Sequence, residues 1–152
     1  MRMIRALSGI AAAAVLAAAP AVAQDATNLD WLVGEWRGTG TAFGQPSEAT
    51  LNVRPVLGGR FLELSYRAGQ FEGRAMYRFI DGGRWRATWF DNRGTTFPIE
   101  AYYIEQSLTA DWGSAETERG RTVYQLLPDG RLRVTDHAGG REFARHEMRR
   151  AD

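Results

Sequence analysis

The stretch FLELSYRAGQFEGRAMYRFIDGGRWRATWFD, residues 61–91, indicates the fold class of this 152-residue chain. Apolar and polar side chains alternate along it, and the Asp81-Gly82-Gly83 step marks a turn within it. One face of its three runs carries the apolar residues Leu62, Leu64, Tyr66, Phe71, Ala75, Tyr77, Phe79, Trp85, Ala87 and Trp89. The opposite face is mainly arginine and glutamate. A period of two is typical of β-strands with one buried face, so this stretch predicts consecutive strands of a sheet.

The same pattern continues in both directions, with turns at Gly58-Gly59, Asp129-Gly130 and Gly139-Gly140. We predict ten strands, over residues 35–42, 48–57, 60–68, 71–80, 84–90, 95–104, 106–112, 117–127, 130–137 and 141–150. The one helical candidate is a single turn over residues 28–33, with Asn28 as its N-cap. Short turns between strands favour antiparallel pairing and an up-and-down barrel, because a Greek key needs a long connection. The predicted fold is therefore all-β, an antiparallel up-and-down β-barrel of about ten strands with a short N-terminal helical turn.

The first 23 residues have the pattern of a cleaved export signal. Arg2 and Arg5 precede an apolar, alanine-rich run over residues 10–16, and Ala21-Val22-Ala23 is a small-x-small cleavage site. The apolar run is too short for a transmembrane helix. We therefore expect a Sec-type signal peptide at 1–23, a single barrel domain at 24–152, and a periplasmic or secreted protein without a membrane anchor.

Composition excludes several functional classes. Removal of residues 1–23 leaves 17 arginines against 18 acidic residues, whereas nucleic-acid binding is favoured by a clear positive excess. The chain contains no cysteine, which excludes disulfides, thiol chemistry and cysteine metal sites. It contains no lysine either, which excludes a Schiff-base or P-loop lysine.

The segment LDWLVGEWRG, residues 29–38, resembles the opening of calycin barrels, a group that includes the lipocalins and the fatty-acid-binding proteins. In those proteins a short turn leads to a Gly-x-Trp motif, here Gly34 and Trp36. The resemblance implies that Trp36 closes the bottom of the barrel and that an arginine from a late strand packs across it. Arg145 and Arg149 are the candidates, through a cation–π contact.

A bacterial family of unknown function is similar over most of residues 29–150. The similarity is strongest at VLGGRFLE, residues 56–63, and at WFDNRG, residues 89–94. The nitrobindins are similar in architecture, with ten strands and a haem held by a histidine near the C-terminus. Similarity at the level of the fold does not by itself assign a function.

Five aromatic residues on the apolar faces are the candidate ligand-binding residues: Phe71, Tyr77, Phe79, Trp85 and Trp89. They either line an apolar pocket or fill the barrel as ordinary core. A ten-stranded barrel is wide enough for a cavity, which favours the pocket.

Arg145 and His146 are adjacent on the last predicted strand, so they point to opposite sides of the barrel wall. The face with Glu142, Ala144, His146 and Met148 is the more apolar, which predicts that His146 points inward. The resemblance to nitrobindins then implies His146 as an axial haem ligand; otherwise it hydrogen-bonds to water or to Glu147 at the barrel mouth. With the opposite phase, Arg145 points inward and binds a ligand carboxylate, as in fatty-acid-binding proteins. The alternative for Arg145 is an outward side chain paired with a glutamate.

The sequence has no nucleophile elbow, zinc-protease motif or calcium-binding loop, so we predict no catalytic residues and no metal site. We expect an exported barrel that binds a small hydrophobic or amphipathic molecule, with no cofactor. The alternative is a haem-binding, nitrobindin-like protein that isomerises reactive nitrogen species. A further alternative is a ligand-free barrel with a structural or interaction role.

Overall fold

A computed structural model describes residues 29–152. The predicted export signal and the predicted N-cap Asn28 lie outside the described residues. The strands are β1 (Gly34–Ala42), β2 (Gln45–Val56), β3 (Phe61–Ala68), β4 (Phe71–Asp81), β5 (Arg84–Asp91), β6 (Thr96–Ile104), β7 (Ser107–Gly113), β8 (Arg119–Leu126), β9 (Leu132–Ala138) and β10 (Arg141–Arg150).

The ten strands form a closed antiparallel barrel. Each strand pairs with its neighbours in sequence, and β1 pairs with β10 to complete the circle, from Trp36 opposite Arg150 to Ala42 opposite Ala144. This confirms the predicted all-β, up-and-down barrel. The predicted strand boundaries differ from the observed ones by at most three residues. The described residues include no helix long and apolar enough to cross a membrane.

One end of the barrel, which we call the closed end, is covered by the residues before β1. Backbone hydrogen bonds from Leu32 N to Leu29 O and from Val33 N to Asp30 O form a single tight turn there. The indole Nε1 of Trp36 donates a hydrogen bond of 2.9 Å to Leu32 O, which fixes this turn against β1. The side chains of Leu29 and Leu32 are consequently buried at the closed end of the barrel.

Arg150, at the end of β10, packs across Trp36. Its Cζ lies 4.3 Å from the centroid of the Trp36 ring, and its Nη atoms donate to the carbonyl oxygens of Val33 and Trp31. The expected arginine over the tryptophan is present, but it is Arg150; Arg145 and Arg149, the sequence-based candidates, are not the residues that lie there. Both are odd-numbered and point outward, whereas even-numbered residues of this part of β10 point inward.

The core fills the barrel next to the closed end. Its largest fully buried side chains are Trp36, Trp85, Leu51, Leu62, Leu64, Leu108, Leu132 and Met148. The outer wall is polar and carries arginine–carboxylate pairs, including Arg54 with Glu63, Arg86 with Glu100 and Arg121 with Asp111. The opposite end, which we call the open end, is bounded by the hairpin turns at residues 43–44, 69–70, 92–95, 114–118 and 139–140.

Candidate functional site

Half-buried polar and aromatic side chains face the barrel interior toward the open end, namely Tyr66, Trp89, Trp112, Thr122 and Asp136. Next to the closed end, Trp36 and Leu132 are both 0% exposed, although Phe79 and Leu126 there are also only partly buried. We call the part of the interior that holds the fully buried core the lower half, and the part toward the open end, which holds these half-buried side chains, the upper half.

A set of polar side chains lies at the boundary between these halves, and we call it the polar layer: Tyr66, Tyr77, Thr122, Tyr124, Asp136 and His146. The strand register brings its members together, because Thr122 is opposite Asp136 on the paired strands β8 and β9. The Thr122 hydroxyl donates a hydrogen bond of 2.6 Å to Oδ1 of Asp136. The side chains of Tyr77 and Tyr124 are hydrogen-bonded to each other across the barrel.

Burial changes the titration of the polar layer. It raises the pKa of Asp136 from 3.8 to about 6, although the Thr122 hydrogen bond acts in the opposite direction. Burial and the nearby Asp136 charge raise the pKa values of Tyr66 and Tyr124 above the usual tyrosine range. These tyrosines are therefore neutral hydroxyl donors at physiological pH, beside a carboxylate that ionises only near pH 6.

His146 points into the barrel, as the more apolar face of the last strand predicts, and it is 0% exposed. Its Nδ1 lies 3.3 Å from the hydroxyl oxygen of Tyr66. Its Nε2 is buried and has no hydrogen-bond partner among the described residues. Burial lowers the pKa of His146, so the imidazole is neutral at pH 7. A β-bulge between Glu142 and Ala144 precedes this part of β10, and Glu142 is exposed rather than facing inward with Ala144 and His146.

Arg145 lies on the outside of the barrel, which is the alternative in which its side chain points outward and pairs with a glutamate, and it is not placed to bind a carboxylate inside. Its guanidinium forms a two-bond ion pair with Glu142 of the same strand. It also lines an open groove of about 540 Å³ on the outer wall of β1 and β10, with Arg37, Arg131 and Arg149. Its partner is three residues away on its own strand, which the alternation pattern does not reveal.

The five aromatic candidates all face inward, but they lie at three different levels. Phe79 and Trp85 pack edge to face, with ring centroids 5.4 Å apart, in the closed-end core. Tyr77 belongs to the polar layer. Phe71 and Trp89 stack at 6.1 Å near the open end. Only these last two therefore lie where a ligand entering the barrel would meet them.

A second aromatic pair, Phe97 and Trp112, completes the open end with ring centroids 5.4 Å apart. The two indoles lie against glycines: a Cβ on Gly73 would overlap Trp89, and a Cβ on Gly120 would overlap Trp112. We call Phe71, Trp89, Phe97 and Trp112 the aromatic wall. The second pair was not predicted, although alternation is a signal for it, because Phe97 is in phase with Ile99 and Trp112 is in phase with Ala110.

Asp136 was also missed as a site residue, although the sequence contains a signal for it. It is in phase with Leu132 and Val134, so it is an acidic residue on an apolar face. A charged carboxylate on a buried face destabilises the fold unless a partner compensates it. Its presence at this position is therefore a signal for a functional residue.

Within residues 29–152 no group of three or more histidine, aspartate or glutamate side chains is arranged to hold a metal ion. No protein-family model and no curated protein matches this sequence.

Proposed function

We propose that the protein is an exported, calycin-like barrel that binds a small apolar or amphipathic molecule in the upper half of its interior. The observation that carries this proposal is the set of half-buried polar and aromatic side chains that face the interior toward the open end: Tyr66, Trp89, Trp112, Thr122 and Asp136. A barrel with no ligand would be expected to fill its interior along its full length.

The aromatic wall and the polar layer have complementary roles in this proposal. Burial of ligand surface against Trp89 and Trp112 supplies most of the binding free energy, at about 25 cal/mol per Å² of apolar area. The hydroxyls of Tyr66 and Thr122 and the carboxylate of Asp136 orient a polar end of the ligand. Ligand pockets commonly combine apolar walls with a few such polar groups.

The calycin-like assignment is supported by the Gly34-x-Trp36 motif and by Arg150, which packs over Trp36 as the resemblance implies. The assignment as an exported protein is supported by the charged, apolar and small-residue segments within residues 1–23. Mass spectrometry of the protein expressed with this segment in a Gram-negative host should give a mature chain that starts at Gln24.

The fluorescent probe N-phenyl-1-naphthylamine tests interior binding. We expect a saturable increase in its emission at one equivalent of protein. Trp89→Ala should weaken binding at least tenfold, because the probe loses an indole of the aromatic wall. Phe90→Ala is the matched control, since Phe90 is the next residue on the same strand, is 51% exposed and points outward. Circular dichroism verifies that both variants fold. No saturable binding, or an equal loss in both variants, would favour a ligand-free barrel.

Haem binding through His146 is a second candidate, favoured by the buried, unpartnered Nε2 of this residue. A haem ligand typically has its second ring nitrogen hydrogen-bonded, and the contact between Nδ1 and the Tyr66 hydroxyl meets that requirement. Because Nε2 has no contact with solvent, neighbouring side chains must move before an iron can reach it. Bound haem would supply redox and diatomic-ligand chemistry.

Titration with haemin tests this candidate. A Soret shift that saturates at one equivalent and is lost in His146→Ala but kept in His137→Ala would identify His146 as an axial ligand. A shift that persists in His146→Ala, or that fails to saturate, would exclude it.

A further inference from the structure

Unlike Asp111 and Glu100 on the outer wall, Asp136 forms no ion pair with any described residue. On the outer wall, Asp111 and Glu100 each pair with an arginine within 3 Å. Asp136 faces the interior, and the side-chain hydrogen bond that it accepts comes from the neutral Thr122 hydroxyl. None of the ion pairs among the described residues involves Asp136.

The groups that face Asp136 from the packed strands are neutral. Tyr66 on β3, Tyr77 on β4 and Tyr124 on β8 are protonated phenols that interact with the Asp136 charge. His146 on β10 is neutral because of its burial. On β9 itself, a charged His137 would lower the pKa of Asp136. The side chain of His137, however, points to the outside of the barrel, because neighbouring residues of a strand point to opposite sides. A charged Asp136 in this environment is therefore uncompensated, which costs free energy.

An arginine near each end of the interior already has other binding partners. At the open end, Arg93 forms an ion pair with Asp91 and lies 5.5 Å over the ring of Phe71. At the closed end, Arg150 is held by Trp36 and by two carbonyl oxygens. Neither arginine forms an ion pair with Asp136.

The aromatic wall lies between Asp136 and the open end. Trp112 packs against Gly120, and Gly120 is two residues from Thr122, the hydrogen-bond donor to Asp136. A group bound at Asp136 would therefore lie one side-chain layer below an indole. Aromatic faces attract cations, and the attraction is strongest where water is excluded.

We propose that the ligand of this barrel is a small organic cation, an aromatic or alkyl amine whose ammonium group binds Asp136 and whose apolar part packs on the aromatic wall. This inference rests on the proposed function and specifies its ligand class. The ammonium supplies the positive charge that Asp136 lacks, and the tyrosine hydroxyls accept its remaining N–H groups. A fatty acid in the same position would place a second carboxylate beside Asp136, which is unfavourable.

Three compounds with the same carbon skeleton test the inference: 4-phenylbutylamine, 4-phenylbutan-1-ol and 4-phenylbutyrate. Their dissociation constants would be measured at pH 7.5 by displacement of N-phenyl-1-naphthylamine and by calorimetry. We expect the amine to bind at least tenfold more tightly than the alcohol, and the carboxylate to bind most weakly.

Asp136→Asn is the decisive variant, because an amide keeps the size of the side chain and can still accept the Thr122 hydrogen bond. It should weaken amine binding at least tenfold and abolish the preference for the amine over the alcohol. Asp111→Asn, on the outer wall, is the matched control and should keep the preference. Wild-type affinity for the amine should also fall as the pH is lowered from 7.5 to 5, while alcohol affinity stays constant.

The outcomes separate this inference from the proposed function. Equal binding of amine and alcohol, or a preference that survives in Asp136→Asn, would overturn the amine inference and leave interior binding intact. Failure of all three compounds to bind would also overturn it, and the naphthylamine titration would then decide whether the interior binds any apolar molecule.

Discussion

Arg150 covers Trp36 at the base of the barrel, with its Cζ 4.3 Å from the ring centroid and with hydrogen bonds to Val33 O and Trp31 O of 2.6 and 2.7 Å. One side chain thereby joins the last strand, the first strand and the turn that precedes it. Loss of this side chain should loosen the contact between the two ends of the described chain.

We therefore predict that Arg150→Ala lowers the free energy of unfolding by about 2 kcal/mol, the sum of a cation–π contact and charged hydrogen bonds in a partly exposed setting. Urea denaturation followed by tryptophan fluorescence measures this loss. Arg149→Ala, one residue away and facing outward, should change stability by less than about 0.5 kcal/mol. Equal losses in the two variants would contradict a specific role for Arg150.

Gly73 gives Trp89 the space that its indole occupies. Gly73→Ala should lower the free energy of unfolding by about 1–3 kcal/mol, because the added Cβ overlaps the ring and forces it to move. The same substitution in a Trp89→Leu background should have a much smaller effect, since the overlap is removed. A double-mutant cycle from urea denaturation gives the coupling, and additive losses would show that the two residues do not interact.

Asp136 should make stability depend on pH in a defined direction. Its pKa is about 6 in the folded protein against 3.8 for an ordinary aspartate, so the folded state binds its proton more tightly. Ionisation therefore destabilises the fold progressively from about pH 4 to above pH 6. Asp136→Asn avoids this effect and should be more stable than wild type by about 3 kcal/mol at pH 7.5, with most of the gain lost near pH 4.

Urea denaturation of both proteins at pH 4, 6 and 7.5 checks this, because the difference between them cancels the titration of other carboxyls such as Asp91, whose pKa is lowered by Arg93. A difference that is constant across this range would show that Asp136 titrates normally.

His146 points into the barrel and Arg145 points outward, so truncation to alanine should lower the free energy of unfolding much more at His146 than at Arg145. His146→Ala should lower the free energy of unfolding by about 2–4 kcal/mol, because it opens a cavity in a fully buried site. Arg145→Ala removes an exposed ion pair and should cost less than about 1 kcal/mol. Thermal melts by circular dichroism distinguish the two, and a larger loss for Arg145→Ala would contradict the observed orientation of β10.

The barrel itself could be predicted from the sequence because its determinants are local. Alternation along residues 61–91 and the glycine-containing turns specify strands and their direction, and short turns leave few ways to connect them. The orientation of His146 was also predictable, since Ala144 and Met148 share its face. The bulge beside Ala144 does not disturb that face, because it affects only the start of β10.

The organisation of the site was harder to predict, because it depends on register between distant strands. Asp136 meets Thr122 through the pairing of β9 with β8, and Tyr77 meets Tyr124 across the interior. Alternation gives the side of the wall on which a residue lies, but not its height along the barrel axis. For that reason the sequence places Phe71, Tyr77 and Phe79 on one face of one strand, but it does not show that they lie at three different levels of the barrel.

The position of the fully buried core has a consequence for how such a protein can evolve. Core residues such as Trp36 and Leu132 are separate from the half-buried, inward-facing residues Thr122 and Asp136, which contact the ligand under the proposed function. Under that function, substitutions in the upper half would change the ligand specificity of the barrel without removing the core side chains that hold it closed. Specificity would then be free to diverge faster than the fold.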